Sequence, residues 1–255
     1  MIKFFFTFDK TIKSQNLKKK LLKQHKNTSP KKADIIIVAG GDGYMLNSLK
    51  KYYRFQKPFY GINCGSFGFL MNGYNSNNLI KRISKTKKVT INPLEVTGVY
   101  SKKKKSLIAI NEISLFRQSR QTAMLSLKIR EKMVIKKLIG DGVLISTPAG
   151  STAYNLSVHG PILSLNSGKL AITPISPFRP RRWKGKIVNN NSVIKLKNLE
   201  PRKRPIAAVA DNIEIRNIKS LTVKIKKNIN LVLLYDPSRN LAKRIKIEQL
   251  RKNFS

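Results

Sequence analysis

The feature that most constrains the fold is an apolar run from Ala33 to Ala39, rich in Ile and Val, that ends in Gly40-Gly41-Asp42-Gly43. A continuous β-branched run is typical of a strand that is covered on both faces, as in a parallel sheet. The next stretch, 44–52, has apolar residues at helical spacing. The segment therefore predicts a strand, a tight turn and a helix, as found in α/β crossovers.

Similar patterns flank this segment. Residues 3–8 and 59–63 are short apolar runs that predict strands, and 10–26 is a basic stretch with helical spacing. The resulting β-α-β-α-β series predicts an open, mostly parallel α/β sheet, in which ligands bind at the carboxyl ends of the strands. The residues predicted to form the buried face of the first helix are Ile12, Leu17, Leu21 and Leu22.

The period of the hydrophobic pattern changes in the second half of the chain. Apolar residues alternate with Ser, Thr, Lys or Arg over 125–130, 194–197 and 221–226, which is typical of half-buried antiparallel strands. We therefore expect a second, β-rich domain that begins near Pro93. The expected bounds are an α/β domain over 1–95, joined by a C-terminal helix within 237–255, and a β-rich domain over 96–236.

The charge balance of the chain is extreme, with 52 Lys and Arg against 12 Asp and Glu among 255 residues, a formal net charge of +40. An excess of this kind suits a polyanionic partner, such as nucleic acid or an anionic membrane. The basic residues are spread from end to end, however, without clusters of interleaved aromatic residues. This even distribution indicates that the lysines cover solvated faces of the protein. We therefore expect no specific nucleic-acid or membrane partner.

The low counts of cysteine and histidine bound the chemistry further. The chain has a single cysteine, Cys64, which excludes an internal disulfide framework. Together with only two histidines, it also disfavours a zinc site. No apolar run approaches the length of about 18 residues that a membrane span requires, and the apolar start is too short for a signal core. These features predict a soluble, cytoplasmic protein in which Cys64 is a packing residue.

Acids are rare, so their positions are informative. Asp42 lies in the glycine turn after the buried strand, where its carboxylate could act as a general base on a hydroxyl group or contact a metal-bound phosphate. The alternative is that Asp42 closes an Asx-type turn or caps the helix. Both interpretations stay open on the turn alone.

Two further motifs combine aromatic or polar side chains with interrupted strands. The run 61–70 contains three glycines. Its Phe69 side chain has two alternative interpretations, as a ring that lies beside an adenine or as part of the core. The pair Asn111-Glu112 interrupts an apolar run, and at a strand end or bulge both side chains could reach one ligand. An amide beside a carboxylate suits vicinal ribose hydroxyls. Otherwise Glu112 is a solvated rim residue.

The richest motif is the run 140–157, which contains Gly140-Asp141-Gly142 and continues through Ser146-Thr147-Pro148-Ala149-Gly150-Ser151-Thr152-Ala153-Tyr154. It predicts a strand that ends in small hydroxylic residues, followed by a short helix that Ser151 or Thr152 caps and whose N–H groups face outward.

These motifs together resemble those of bacterial NAD kinases. Gly-Gly-Asp-Gly, Gly-Ile-Asn-x-Gly-x-x-Gly-Phe-Leu, Asn-Glu, Gly-Asp-Gly and Ser-Thr-Pro-x-Gly-Ser-Thr-Ala-Tyr occur in the family's order, and Tyr235-Asp236-Pro237 is similar to its end. The resemblance covers essentially the whole chain. Gly-Gly-Asp-Gly alone is shared with diacylglycerol kinases, but a lipid kinase should not need Asn-Glu or Gly-Ser-Thr-Ala-Tyr.

The resemblance implies transfer of the γ-phosphoryl group of ATP, or of polyphosphate in some members, to the 2′-hydroxyl of the adenosine ribose of NAD. It implies that Asp42 is the general base, that Asn111 and Glu112 grip ribose hydroxyls and that Asp141 lies near the nicotinamide. The matching positions are Gly41, Asp42, Gly43, Phe69, Asn111, Glu112, Asp141, Thr152, Ala153, Tyr154, Asn155, Leu156, Ser157 and Ser176.

The resemblance also implies a divalent cation, with Mg²⁺ expected, that no identifiable motif of the protein ligates, and a homodimer or homotetramer. The sequence departs from the family pattern at Tyr44, Ala149 and His159, none of which replaces a motif carboxylate. Asp211-Asn212-Ile213 lacks the Gln that many members carry there, so no contact is assigned to this segment.

Overall fold

The computed structural model describes residues 2–66, 68–100 and 103–237. The helices there are α1 Ile12–Gln24, α2 Asp42–Tyr52, α3 Leu79–Ser84 and α4 Tyr154–Ser157, none long and apolar enough to span a membrane. The strands are β1 Phe4–Phe8, β2 Ile35–Gly40, β3 Phe59–Asn63, β4 Lys87–Ile91, β5 Leu94–Tyr100, β6 Lys103–Ala109, β7 Glu112–Arg117, β8 Ala123–Ile129, β9 Lys132–Gly140, β10 Gly142–Ser146, β11 Lys169–Ile175, β12 Lys186–Asn189, β13 Ile194–Asn198, β14 Ile206–Ala210, β15 Ile213–Ile215, β16 Ile218–Ile225 and β17 Leu231–Tyr235. The C-terminal helix predicted within 237–255 lies, beyond Pro237, outside the described residues.

The chain divides into two compact units. The α/β unit comprises the residues up to Ile91 and those from Ile229 onward, and the β unit comprises Asn92–Asn228. Strand β17 thus lies in the α/β unit, although the sequence pattern places it in the β-rich segment 96–236. Its apolar run is compatible with either sheet, because hydropathy alone does not identify the neighbours of a buried strand.

The α/β unit is built on a five-stranded sheet in the order β1-β2-β3-β17-β4. Neighbours from β1 to β17 pair in parallel, and β4 pairs with β17 in the antiparallel sense. All six residues of β2 are buried, which agrees with its uninterrupted apolar sequence. The predicted open, mostly parallel α/β sheet is confirmed.

Strand β17 is held in place by the residue that follows it. The Asp236 carboxylate accepts a hydrogen bond from Tyr60 Oη at 2.8 Å and pairs with Arg82 Nη2 at 2.6 Å. The Asn72 side chain donates to the Leu234 carbonyl and accepts from the Asp236 N–H, both at 2.9 Å. These contacts join the last described strand to residues far away in the sequence, so they fix its place in the sheet.

Helix α1 buries a narrower face than the sequence predicts. Leu17 and Leu21 are fully buried, and Ser14 completes the same face. Ile12 is 82% exposed and Leu22 is 37% exposed, so the prediction that they belong to the buried face is wrong. Residue 22 is rotated by about 100° from residue 21 on a helix, and Ile12 stands at the first position, before the first full turn.

The β unit contains two six-stranded sheets, β12-β11-β10-β7-β14-β15 and β6-β5-β16-β13-β8-β9. Their neighbouring strands pair in the antiparallel sense. Side chains of both sheets share one apolar core, which includes Leu115 and Ile145 from one sheet and Leu127 and Val223 from the other. The predicted β-rich architecture is confirmed.

The apolar run 107–116 is divided between the two sheets. Strand β6 ends at Ala109 in one sheet, and β7 begins at Glu112 in the other. Ile110 and Asn111 connect them, so the Asn111-Glu112 pair stands at a strand end. Neighbouring side chains can face one ligand there, because the strict alternation of a regular strand no longer applies.

Gly142 offers a test of how closely β10 packs beside β7. A Cβ atom at this position would lie 1.8 Å from the Leu115 carbonyl oxygen, so the backbone would have to move. We expect Gly142→Ala to lower the free energy of unfolding by about 3 kcal/mol or more in urea denaturation. Gly73→Ala is the control, because no atom lies within 4 Å of its Cβ position. Equal stability of the two variants would contradict the close packing.

Candidate active site

Asp42 stands at the start of α2, directly after the glycine turn that follows β2. The N-cap position is Gly41, in extended conformation, so the structure does not support Asp42 as the helix cap. The Asp42 carboxylate accepts backbone N–H groups from Phe69 at 2.6 Å and Leu70 at 3.0 Å. It therefore ties the beginning of α2 to the glycine-rich segment after β3.

That segment approaches Asp42 closely because it contains glycine. A Cβ atom at Gly68 would lie 3.0 Å from Asp42 Oδ1, tighter than ordinary van der Waals contact. The neighbouring Phe69 side chain is half-buried. Cys64 is buried, and burial raises the pKa of its thiol, which agrees with the packing role predicted for it.

In the β unit, the backbone of the Asn111-Glu112 pair is held by Asp211, a residue to which the sequence assigned no contact. The Asp211 carboxylate accepts N–H groups from Ile110 at 2.8 Å, Asn111 at 2.8 Å and Glu112 at 3.2 Å. One feature of the sequence could have indicated a role for Asp211, namely its position directly after the apolar strand β14. Asp42 has a similar position, because it follows β2 after a single glycine, Gly41.

The side chain of Asn111 has an unusual environment. Its Oδ1 atom is buried, and among the described residues it has no hydrogen-bond partner. Buried polar atoms in native proteins are nearly always satisfied, so an orphan acceptor at a strand end points to a donor from a ligand or water. Glu112, the next residue, is half-buried.

Asp141 and Tyr154 lie with Glu112 in one electrostatic cluster. The Asp141 carboxylate pairs with Arg117 Nε at 2.5 Å, and the Tyr154 ring packs against Phe116 at 5.7 Å between centroids. Burial raises the pKa of the Tyr154 phenol, and the negative charges of Asp141 and Glu112 raise it further. The structure thus brings together three of the predicted nucleotide-binding residues.

The segment after β10 forms a 3-10 turn over Gly150–Thr152 and then α4. The prediction that Ser151 or Thr152 caps the helix is wrong, because the N-cap is Ala153 and no side chain caps it. Ser151 Oγ instead donates to the Pro148 carbonyl at 2.7 Å and accepts the Leu163 N–H at 3.0 Å. The Ser151 hydroxyl therefore makes its hydrogen bonds within the β unit.

The remaining predicted residues differ in exposure. Asn155 is fully buried, and its amide binds Thr173 Oγ1 at 2.7 Å and the Pro161 carbonyl at 2.9 Å, so its side chain faces protein. Ser176 directly follows β11 and is exposed, and its backbone adopts the left-handed conformation, with φ at 44°. Thr152, Ala153 and Leu156 are half-buried, while Gly43 and Ser157 are exposed.

The fold is shared with two solved structures. An NAD kinase from Archaeoglobus fulgidus, solved in complex with ATP, aligns with a TM-score of 0.76 and 22% identity over 96% of this chain and 98% of that chain. A yeast NADH kinase in complex with NADH aligns with a TM-score of 0.76 and 22% identity over 90% of this chain and 71% of that chain. The chain therefore shares the fold of these two kinases.

Sequence comparison defines the family. The model of the ATP-NAD kinase N-terminal domain matches residues 3–87, and that of the C-terminal domain matches residues 110–239. The NAD kinase of Zymomonas mobilis is 46% identical over 244 residues, 94% of this chain and 95% of that protein. That of Caulobacter vibrioides is 42% identical over 237 residues, 92% of this chain and 91% of that protein. The chain belongs to the ATP-NAD kinase family.

The electrostatic cluster can be tested through the ionisation of Tyr154. Replacing Glu112 with Gln removes a negative charge that opposes formation of the phenolate, so we expect Glu112→Gln to lower the pKa of Tyr154. The measurement is the ultraviolet absorbance of phenolate during a pH titration, taken as the difference from Tyr154→Phe in the same background. Glu214→Gln, which removes an exposed acid paired with Arg216, should leave the titration unchanged. An unchanged pKa in Glu112→Gln would contradict the cluster.

Proposed function

We propose that the protein is an NAD kinase, which transfers the γ-phosphoryl group of ATP to the 2′-hydroxyl of the adenosine ribose of NAD and so forms NADP. The observation that carries the proposal lies in the β unit, where the buried Asn111 Oδ1 has no hydrogen-bond partner among the described residues. The next residue, Glu112, forms the electrostatic cluster with Asp141 and Tyr154. Membership of the ATP-NAD kinase family supports it.

We assign the binding of ribose hydroxyls to Asn111 and Glu112. An amide both accepts and donates hydrogen bonds and a carboxylate accepts them, so the pair can hold two vicinal hydroxyl groups. Within the described part of the chain, the buried Oδ1 of Asn111 has no donor, and a bound hydroxyl would supply one and so remove the cost of an unsatisfied buried acceptor.

We assign the nicotinamide end to Asp141, because its carboxylate can accept from the carboxamide NH₂ while Arg117 holds it in place. Tyr154 presents a neutral phenol. The half-buried or exposed residues proposed to line the nucleotide pocket are Thr152, Ala153, Leu156, Ser157 and Ser176. Asn155 contributes through its backbone, because its side chain is bound within the protein.

We assign the acceptor hydroxyl to Asp42, as the group that orients it and takes its proton. The N–H groups of Phe69 and Leu70 fix the position of the Asp42 carboxylate, as a group that accepts the proton of a hydroxyl requires. The neighbouring Gly41 and Gly43 carry no side chain that would keep substrate away. Phe69 is proposed to lie against the adenine. Proton removal by a positioned carboxylate is general-base catalysis.

The described residues contain no group of three or more His, Cys, Asp or Glu side chains that could hold a metal ion. These residues do not fit a protein-held metal centre, and no catalytic step is assigned to one. We propose instead that a divalent cation, expected to be Mg²⁺, arrives with ATP, whose phosphate oxygens are the hard ligands that this ion prefers.

We further propose that the enzyme acts in the cytoplasm as a homodimer or homotetramer. The family resemblance supports the assembly, and the single cysteine, which excludes an internal disulfide, agrees with a reducing compartment. Light scattering on the purified protein measures the subunit number, and a monomer at assay concentration would contradict the assembly.

The proposed reaction can be tested with purified protein, NAD and Mg²⁺, with ATP or polyphosphate as the donor. We expect NADP to form with ATP, and formation with polyphosphate would extend the donor range. Diacylglycerol in a vesicle serves as the competing acceptor, because lipid kinases share the Gly-Gly-Asp-Gly turn. Phosphorylation of diacylglycerol in preference to NAD would overturn the proposed function.

The role of Asp42 can be tested separately. We expect Asp42→Asn to lower kcat by about 10²- to 10⁴-fold, the range of general-base contributions. We expect a modest loss of NAD binding as well, because asparagine has one acceptor oxygen fewer for the N–H groups of Phe69 and Leu70. Asp34→Asn is the control, because Asp34 also accepts a backbone N–H, from Lys3 at 2.8 Å, without lying in the glycine turn. Full turnover by Asp42→Asn would contradict the assignment.

A further inference from the structure

The turn between β14 and β15 carries Asp211, whose carboxylate binds three successive N–H groups across the sheet. The donors are Ile110 and Asn111 at 2.8 Å and Glu112 at 3.2 Å. In return, the Asp211 N–H donates to the Glu112 carbonyl at 3.0 Å. One residue therefore binds the backbone on both sides of the Asn111-Glu112 peptide.

Both the backbone and the charge of Asp211 suit this position. Its φ is 53°, in the left-handed region that Gly, Asn and Asp adopt most readily. Among these three residues, only aspartate offers two equivalent acceptor oxygens and a full negative charge. Hydrogen bonds from N–H groups to an ionised carboxylate are about twice as strong as neutral ones. Aspartate alone thus combines the conformation with the three acceptor contacts.

A second set of contacts holds the same peptide from the segment that follows β10. The Asn111 carbonyl accepts the Thr147 N–H at 2.9 Å, and Thr147 Oγ1 donates to the Ile110 carbonyl at 2.7 Å. A Cβ atom at Gly150 would lie 2.3 Å from the Asn111 carbonyl oxygen, so the 3-10 turn packs directly on this backbone. The N–H and the carbonyl of Asn111 are both bound by protein, whereas its buried side-chain oxygen has no partner among the described residues.

We propose that Asp211 is a positioning residue, which sets the direction of the Asn111 and Glu112 side chains and so prepares them for the ribose hydroxyls of NAD. The inference rests on the proposed function of that pair. Fixing the backbone before the ligand arrives lowers the ordering cost of binding. The residue should therefore act on the affinity for the dinucleotide more than on the chemical step.

The test compares Asp211→Asn with wild type in steady-state kinetics. Asparagine tolerates the same left-handed backbone, but it loses the charge and one acceptor. We expect KM for NAD to rise about tenfold, the scale for weakening hydrogen bonds to a charged group, with a smaller change in kcat and no change in KM for ATP. Glu214→Gln is the matched control, because it removes the same charge three residues away, where the acid is exposed and paired with Arg216.

A double variant separates positioning from a general loss of stability. If Asp211 acts through Glu112, then Asp211→Asn should raise KM for NAD less in the Glu112→Gln background than in wild type. A purely structural residue would lower Tm in both backgrounds and leave KM for NAD unchanged at temperatures below unfolding. That pattern would overturn the proposal.

Asp211→Gly provides a second variant, since glycine keeps the left-handed backbone without strain and removes the carboxylate entirely. Retention of the wild-type KM for NAD in either folded variant overturns the positioning role. Failure of both variants to fold overturns it too, because the residue would then determine the fold. A wild-type protein that does not phosphorylate NAD refutes the proposed function, whereas active wild type with unchanged variants refutes only the role of Asp211.

Discussion

Hydrogen bonds from backbone N–H groups to two aspartates hold the irregular segments that carry the candidate functional residues of each unit. Asp42 binds Phe69 and Leu70, and Asp211 binds the peptide of Asn111 and its neighbours. Both segments begin where a strand has ended and its backbone groups have lost their sheet partners. A carboxylate only accepts, and it accepts several donors at once, so one short side chain satisfies two or three of these groups.

This use of carboxylates explains why a chain with a net charge of +40 is better understood from its 12 acids than from its 52 basic residues. Exposed charges separated by more than about 10 Å are largely screened at 0.1 M salt, so scattered lysines define no site. Several acids instead lie where positively polarised groups converge. Asp236 binds Arg82 and Tyr60, and Asp141 binds Arg117. The acids organise local structure in both units.

Much of the fold was predictable because local patterns determined it. The buried β2, the glycine turn before Asp42 and the alternating strands of the β unit each follow from residue spacing. One error is local, the cap of α4 predicted at Ser151 or Thr152. The burial predicted for Ile12 and Leu22 fails because it depends on contacts with distant segments. Ile12 of α1 is exposed because its position relative to the sheet, not its hydropathy, decides burial. The run 107–116 divides between two sheets for the same reason, since its apolar residues suit either one.

By itself, the sequence determined the type of each unit, the family resemblance and the identity of the candidate residues, because periodicity, glycine turns and motif order are local properties of the chain. Only the tertiary structure decided that β17 joins the α/β unit, that Glu112, Asp141 and Tyr154 influence one another, and that Asp211 holds the Asn111 peptide. Asp211 and Asn111 are 100 positions apart, and no local pattern encodes a hydrogen bond between segments that meet only when the sheet has formed.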